Sequence, residues 1–412
     1  MLTRVTKLSK VKQELRFLNN FFKIFLLGIV CIINFVFGVL SIMDTSDIEK
    51  QIKDIEEEIF NTQKNKATEH HIGRLKAKIA RLKQEVDKRK STGVKGKGFS
   101  IKKQGDATIG LVGFPSIGKS TLLNQLTSAE SRVGSYDFTT LDVIPGMMYY
   151  NGAKIQIFDL PGLISGASTG KGRGREVLSA VRNSDLILFM IDAEHPYHLE
   201  LMANELYNAG LRLNHSRPDV VVKKTGYGGI NVFSTVKLSF LNLELIKSIA
   251  SEYVINADII IREDISEDQL IDIFIENRVY VSAIVIINKI DLISSNTLRE
   301  QVDIIKARGW SVIGISASKG TGLNELRKII FKELNLIRIF MKPVGKKVDM
   351  EEPLILKQGN TVEDACRKLH RTFKDKFRYA NVSGPSAKHN IQKVGFEHIL
   401  KDGDILTIVV TK

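Results

Sequence analysis

One string constrains this chain more than any other: Gly113-Phe-Pro-Ser-Ile-Gly118-Lys119-Ser120, set between an apolar run and a helix-forming run. It matches G-x-x-x-x-G-K-[ST]. Its glycines let backbone N–H groups close around the phosphates of a nucleotide, and the helix N-terminus adds favourable partial charge. Lys119 supplies a point charge to the β/γ oxygens, and Ser120 offers a hydroxyl to Mg2+. The cofactor-binding set expected here is Gly113, Pro115, Ser116, Gly118, Lys119, Ser120 and Thr121. Further apolar runs at 109–113, 155–160, 186–191, 283–288 and 312–316 read as buried parallel strands with helical segments between them. The expected architecture is α/β, a doubly wound sheet of the P-loop nucleotide-binding type.

Three further strings follow in chain order. Tyr136-Asp-Phe-Thr139-Thr140-Leu has the composition of a first switch, in which a threonine completes the magnesium shell and senses the γ-phosphate. Thr140 is the preferred residue and Thr139 the second choice. Asp159-Leu-Pro-Gly162 ends a strand-like run and reads as D-x-x-G, with the aspartate toward magnesium and the Gly162 amide toward the γ-phosphate. Asn288-Lys289-Ile-Asp291 closes a later run and reads as the base-recognition loop. The Asp291 carboxylate can accept two hydrogen bonds from guanine N1 and N2, which adenine cannot provide, and an unpaired acceptor would reject the wrong base. Ser316-Ala317-Ser318 then offers a backbone amide to guanine O6. Each string is short, but five in order on strand ends imply GTP or GDP rather than ATP. The metal ligands expected are Ser120, Thr140 and Asp159, and the groups acting on the γ-phosphate are Lys119, Thr140 and Gly162. Ras-like enzymes place a glutamine after D-x-x-G; here the position holds Leu163, which cannot orient water, so slow unaided turnover is expected. The segment 165–175 reads as a basic second switch whose Lys171, Arg173 or Arg175 face phosphate, RNA or solvent.

Outside this region the chain changes character. Residues 1–42 are a hydrophobic extension, with basic residues before an apolar run at 24–42 long enough to span a bilayer. It reads either as a membrane anchor or as a dispensable extension ahead of Met43. Residues 43–103 hold a helical hairpin and a basic linker. Ile48, Ile52, Ile55 and Ile59, then Ile72, Leu75, Ile79, Leu82 and Val86, recur at three- and four-residue spacing. The second helix is rich in lysine and arginine, suited to RNA or to a solvated surface. The segment 104–340 is assigned to the GTPase domain, with 216–280 as an inserted α/β subdomain in which Ser266-Glu-Asp-Gln269 caps a helix. The tail 345–412 reads as a small β-grasp fold: a strand at 354–356, a helix from Thr361 through Phe377, and a closing strand after Lys401-Asp-Gly-Asp404. Arg367, Lys368, Arg371, Lys374 and Lys376 give that helix a basic face toward RNA or solvent. With 60 Lys and Arg against 46 Asp and Glu, the net charge of +14 favours a polyanionic partner: nucleic acid, ribosome or anionic membrane. Two cysteines can form neither a disulfide framework nor a zinc cluster.

Phe-Thr-Thr-Leu (138–141), Asp-Leu-Pro-Gly (159–162), Gly-Lys-Gly-Arg-Gly-Arg (170–175) and the N-terminal run 61–78 together resemble the developmentally regulated GTP-binding (DRG) proteins of the Obg superfamily. The resemblance covers 43–412. Gly226-Tyr-Gly-Gly-Ile-Asn and Ala257-Asp-Ile-Ile-Ile-Arg-Glu-Asp look more like the second of two eukaryotic branches. It implies a ribosome-associated GTP switch in translation, a C-terminal TGS domain, and two partners: the ribosome with its RNA, and a dedicated DRG family regulatory protein. Some potassium-stimulated relatives carry asparagine where this chain has Ser116, which argues against K+ as a cofactor. The competing readings are an RNA- or ribosome-binding module without turnover and a membrane-anchored GTPase.

Overall fold

The computed structural model describes residues 46–63, 65, 68–92, 103–127, 144–160, 181–195, 198–275 and 277–411. The extension 1–42, Thr139, Thr140, Gly162, Leu163 and the basic segment 165–175 lie outside them. Among the described residues no helix is long and apolar enough to cross a membrane. The described residues fall into two compact units: those up to Thr92 together with Pro218–Asn277, and those from Lys103 to Arg217 together with Arg278 onward.

In the second unit, apolar runs too long to alternate form central strands covered on both faces. Five run parallel, in the order Ser311–Gly314, Val279–Asn288, Leu186–Asp192, Ala107–Gly113 and Ala153–Asp159. A sixth strand, Ile144–Tyr150, is antiparallel to Ala153–Asp159 through a tight turn at Asn151 and Gly152. A short seventh, Leu211–Leu213, pairs with Val279–Val281. One face buries Phe158, Phe189 and Ile287 under the helix His198–Asn208; the other buries Ile109, Ile157 and Ile286 under the helices Lys119–Leu126 and Leu323–Glu333. The expected doubly wound GTPase sheet is present, and its strands' carboxyl ends converge on the loops singled out above.

The same unit holds the β-grasp tail, a five-stranded sheet ordered Leu354–Lys357, Leu336–Met341, Ile405–Val410, Phe377–Ser383, Gln392–Val394. The helix Val362–Leu369 covers one face around Val362, Ala365 and Cys366. Two details differ from the sequence reading. Leu336–Met341, placed by sequence in the GTPase segment, hydrogen-bonds into the tail sheet. The basic helix does not run through to Phe377: His370 is extended (φ −171°, ψ 148°), its Nδ1 accepts the Thr372 amide, and a second short helix, Arg371–Asp375, starts there. Phe377 already opens a strand.

The first unit joins the amino-terminal hairpin to the inserted segment. Ile48, Ile52, Ile55, Leu75, Leu82 and Val86 form the hairpin seam, as the spacing predicts. The helix Glu69–Thr92 has a second buried face made of small residues. Ala77 and Ala80 join the core of the insert, and a Cβ on Gly73 would lie 2.6 Å from Leu245. Small side chains let that helix lie directly on Leu243–Ala250 and Glu267–Phe274. The insert backs these helices with a three-stranded sheet, Val220–Lys224, Ala257–Ile261, Ile230–Ser234. The Ser266–Gln269 capping box forms as expected.

Candidate nucleotide-binding site

The loop after Ala107–Gly113 turns sharply into the helix Lys119–Leu126. Gly118 sits at φ 100°, and a Cβ there would lie 2.7 Å from Asn288 Nδ2, so both backbone and packing require glycine. Ser116 also holds a left-handed backbone, at φ 63°. Pro115 and Ser116 are exposed on this loop, and Ser120 and Thr121 in the first turn of the helix. Lys119 Nζ turns back on the loop, donating to the carbonyls of Gly113 and Phe114 at 3.0 Å each. Burial pulls the Lys119 ammonium below its ordinary pKa, against the attraction of Asp159.

Asp159 and Ser120, both expected metal ligands, are brought together: Ser120 Oγ donates to Asp159 Oδ2 at 2.9 Å. Asp159 Oδ1 is buried with no hydrogen-bond partner among the described residues. Burial raises the carboxyl above the usual range, against the Ser120 hydrogen bond and Lys119. A buried carboxylate oxygen with no donor is costly alone and is satisfied by a cation, so a hydroxyl and a carboxylate side by side fit Mg2+.

The base-recognition strings converge through Asn288, 3% exposed. Its Nδ2 donates to the Ile117 carbonyl at 2.8 Å, and its Oδ1 accepts the Ala317 amide at 2.9 Å. One side chain therefore ties the phosphate loop to the Ser316-Ala317-Ser318 turn. The Ala317 amide is spent on Asn288. Asp291 lies beside Lys319, 3.3 Å away, and hydrogen bonding from Ser316 holds its carboxyl below the usual range. Ser316 is buried, and its Oγ also accepts the Lys319 amide at 3.3 Å.

Sequence reasoning missed Asp192. In register with Asn288 on the adjacent strand, it accepts from Lys289 Nζ at 2.6 Å. Burial works to raise its pKa, but the bonds from Lys289 and from the Glu194 amide hold it below the usual range. Lys289 has a left-handed backbone, φ 64°, and the ion pair fixes the direction of its side chain. The terminal carboxylate of the strand Leu186–Asp192, next to Asn288, was the available signal.

Sheet order, phosphate loop and an Asn-Lys-x-Asp loop at the strand ends define a P-loop GTP-binding protein of the translation-factor type. A family profile described as a 50S ribosome-binding GTPase matches residues 108–224, one described as the C-terminal region of that domain matches 227–336, and a TGS domain profile matches 337–410. The chain is 50% identical over 370 residues to an uncharacterized GTP-binding protein of Methanocaldococcus jannaschii, covering 90% of this chain and 94% of the relative. It is 46% identical to developmentally-regulated G-protein 3 of Arabidopsis thaliana, over 88% of this chain and 99% of the relative. The developmentally-regulated GTP-binding protein 1 of Xenopus laevis is also 46% identical, over 87% and 98%. The chain belongs to the developmentally regulated GTP-binding protein family of Obg-type GTPases. These likenesses establish the family.

Proposed function

We propose that this protein is a Mg2+-dependent GTPase, slow on its own, whose nucleotide state governs engagement of the ribosome. The observation that carries this reading is the polar inventory around Asp159. An orphaned carboxylate oxygen, a hydroxyl 2.9 Å from its partner oxygen and a lysine resting on its own loop are groups waiting for a metal–phosphate ligand. Ser120, Asp159 and Thr140 would hold Mg2+, which when bound neutralises charge on the β/γ oxygens. Lys119 transfers its donors from Gly113 and Phe114 to phosphate, and Gly118 leaves room for the chain of amides from Gly113 to Thr121. Lys289 lies along the base, Asp291 accepts from guanine N1 and N2, and the Ser318 amide faces O6. Thr140 and the Gly162 amide meet the γ-phosphate. Leu163 offers no group to orient water, so the ribosome or a DRG family regulatory protein supplies it.

The matching profile's description as a 50S ribosome-binding GTPase supports the ribosomal half of the proposal. The test is single-turnover hydrolysis by the full chain, with GTP and ATP, in sodium and potassium buffers, with and without ribosomes. GTP-only turnover that ribosomes accelerate and the cation leaves unchanged is expected. Tight GTP binding with no turnover under any of these conditions would reduce the protein to a nucleotide-dependent binding module.

A further inference from the structure

Residues 194–198 belong to none of the nucleotide strings, yet they stack two imidazoles onto the phosphate loop. Beyond the strand Leu186–Asp192 the backbone turns back on itself. The His195 amide donates to the Asp192 carbonyl at 3.0 Å, and the His198 amide to the His195 carbonyl at 3.3 Å. The half-buried His198 ring, at the start of the helix His198–Asn208, stacks on Phe114, with ring centroids 4.2 Å apart and planes 29° apart. His195 is exposed and stacks behind it, at 5.5 Å and 15°. Phe114 is the second residue of the phosphate loop. Its ring packs against the apolar cores on both faces of the sheet, and its carbonyl is one of the two on which Lys119 rests, at 3.0 Å. The column of rings thus runs from the strand end that carries Asp192, the partner of Lys289, to the loop residue that holds Lys119. Burial, and then the charge of His195, hold His198 below its ordinary pKa against the attraction of Asp192. The ring therefore meets Phe114 as a neutral aromatic at pH 7.

A phosphate loop binds well only while its row of backbone amides keeps one arrangement. At the exit of this loop, Asn288 holds the Ile117 carbonyl. At its entrance stands Phe114, followed by the exposed Pro115 and Ser116, so the order of that end depends on what the Phe114 ring packs against. A stacked aromatic pair favours its arrangement several-fold beyond the area it buries. Without the stack, fewer molecules hold the loop ready, and apparent affinity falls with that fraction. We infer that His198 is a positioning residue for nucleotide binding. Stacked on Phe114 and backed by His195, it holds the entrance of the phosphate loop in the arrangement that receives the phosphates of a guanine nucleotide. The inference rests on the nucleotide-binding part of the reading above and adds to it a residue outside all the nucleotide strings.

The test uses the full chain and a fluorescent GDP analogue, with Kd read by titration and the nucleotide-free melting temperature reporting that each variant is folded. His198→Ala is expected to weaken GDP about five-fold. His198→Phe keeps a ring on Phe114 and should bind within about two-fold of wild type, a rescue that a lost imidazole hydrogen bond or charge would not allow. Phe114→Leu should also cost about five-fold. The double variant His198→Ala/Phe114→Leu should bind no more weakly than Phe114→Leu alone, because the histidine acts through the phenylalanine. His195→Ala, which removes only the outer ring, should cost about two-fold. If His198→Ala fails the folding check, His198→Leu takes its place, keeping apolar volume without a ring. Wild-type affinity in the ring-deleting variant would overturn the inference, as would a phenylalanine that fails to rescue or full additivity in the double variant. Any of these, with wild type binding GDP, would leave the nucleotide reading standing. Wild type that binds no guanine nucleotide would sink the two together.

Discussion

The phosphate loop and the basic helix Glu69–Thr92 are the two regions of this chain with the strongest claim, by sequence, on an anionic ligand, and they spend their polar groups differently. In the helix four of the cations are matched inside the fold. Arg74 and Arg81 share Glu252, at 2.8 and 3.5 Å, Lys76 pairs with Glu267 at 2.9 Å, and Lys83 with Glu56 at 3.0 Å. At the phosphate loop, Asp159 Oδ1 has no partner among the described residues and Lys119 rests on two carbonyls of its own loop. Charge count alone favours the helix as a binding site. Satisfaction of polar groups favours the loop, because a paired cation must first give up its carboxylate before it can hold a phosphate. The lesson extends to the two tail helices, whose Arg367, Lys368 and Lys374 are likewise engaged.

The contrast can be broken by mutation, and the largest effect is expected at Lys119. Lys119→Ala should lower GTP affinity by about 100-fold or more, since a charged hydrogen-bonding group to phosphate is lost, while the melting temperature without nucleotide stays within a few degrees. A large stability loss without nucleotide would mean that the lysine is structural. Asp291→Asn should come next. Competition binding should show guanine preference falling by about 100-fold, with xanthine nucleotides gaining, because an amide presents a donor where the guanine N1 and N2 donors sit. Asp192→Asn should weaken guanine nucleotides by about ten-fold, since a neutral amide holds Lys289 less firmly. Isothermal titration with GDP would check this, and an unchanged Kd would remove Asp192 from the site.

The smallest effects belong to the ion-paired regions and should fall on stability alone. Glu252→Ala should cost about 1 kcal/mol in chemical denaturation, a modest figure because both arginine partners are about half exposed, and leave GTP affinity untouched. Asp185 accepts from Lys357 at 3.0 Å and from the Thr108 amide at 3.0 Å. Burial works to raise its pKa, but those bonds and the Lys357 and Lys103 charges hold it below its ordinary 3.8. Its contribution is therefore fully present above that ordinary value and is lost as pH falls through the lowered one. Asp185→Asn should cost about 1–3 kcal/mol at neutral pH. The difference from wild type should vanish in the acid arm of a pH–stability curve; a difference that persists there would mean a steric rather than an ionic role.

Much of this was legible in the chain because the chemistry is local. Gly113–Ser120 needs only a strand before it and a helix after it, and the reading of Asn288-Lys289-Ile-Asp291 as a base-recognition loop rests on one carboxylate. The hairpin seam from Ile48 to Val86 follows from spacing, and the Ser266–Gln269 cap from four residues. Partners far apart in sequence were not legible. The Asp192–Lys289 pair spans 97 residues and the Arg74–Glu252 pair spans 178. Most of the strand Leu336–Met341 fell inside the 104–340 segment assigned to the GTPase domain because nothing in six apolar-rich residues says which sheet will claim them.

The order and identity of the nucleotide motifs, the hairpin periodicity and the basic excess are properties of the sequence itself, since each is written in neighbouring residues. Which cations remain available to a ligand, and which carboxylate oxygen lacks a partner, was decided only when distant strands and helices closed on one another. A hydrogen bond or ion pair is set by distance in space, and spacing along the chain does not encode it.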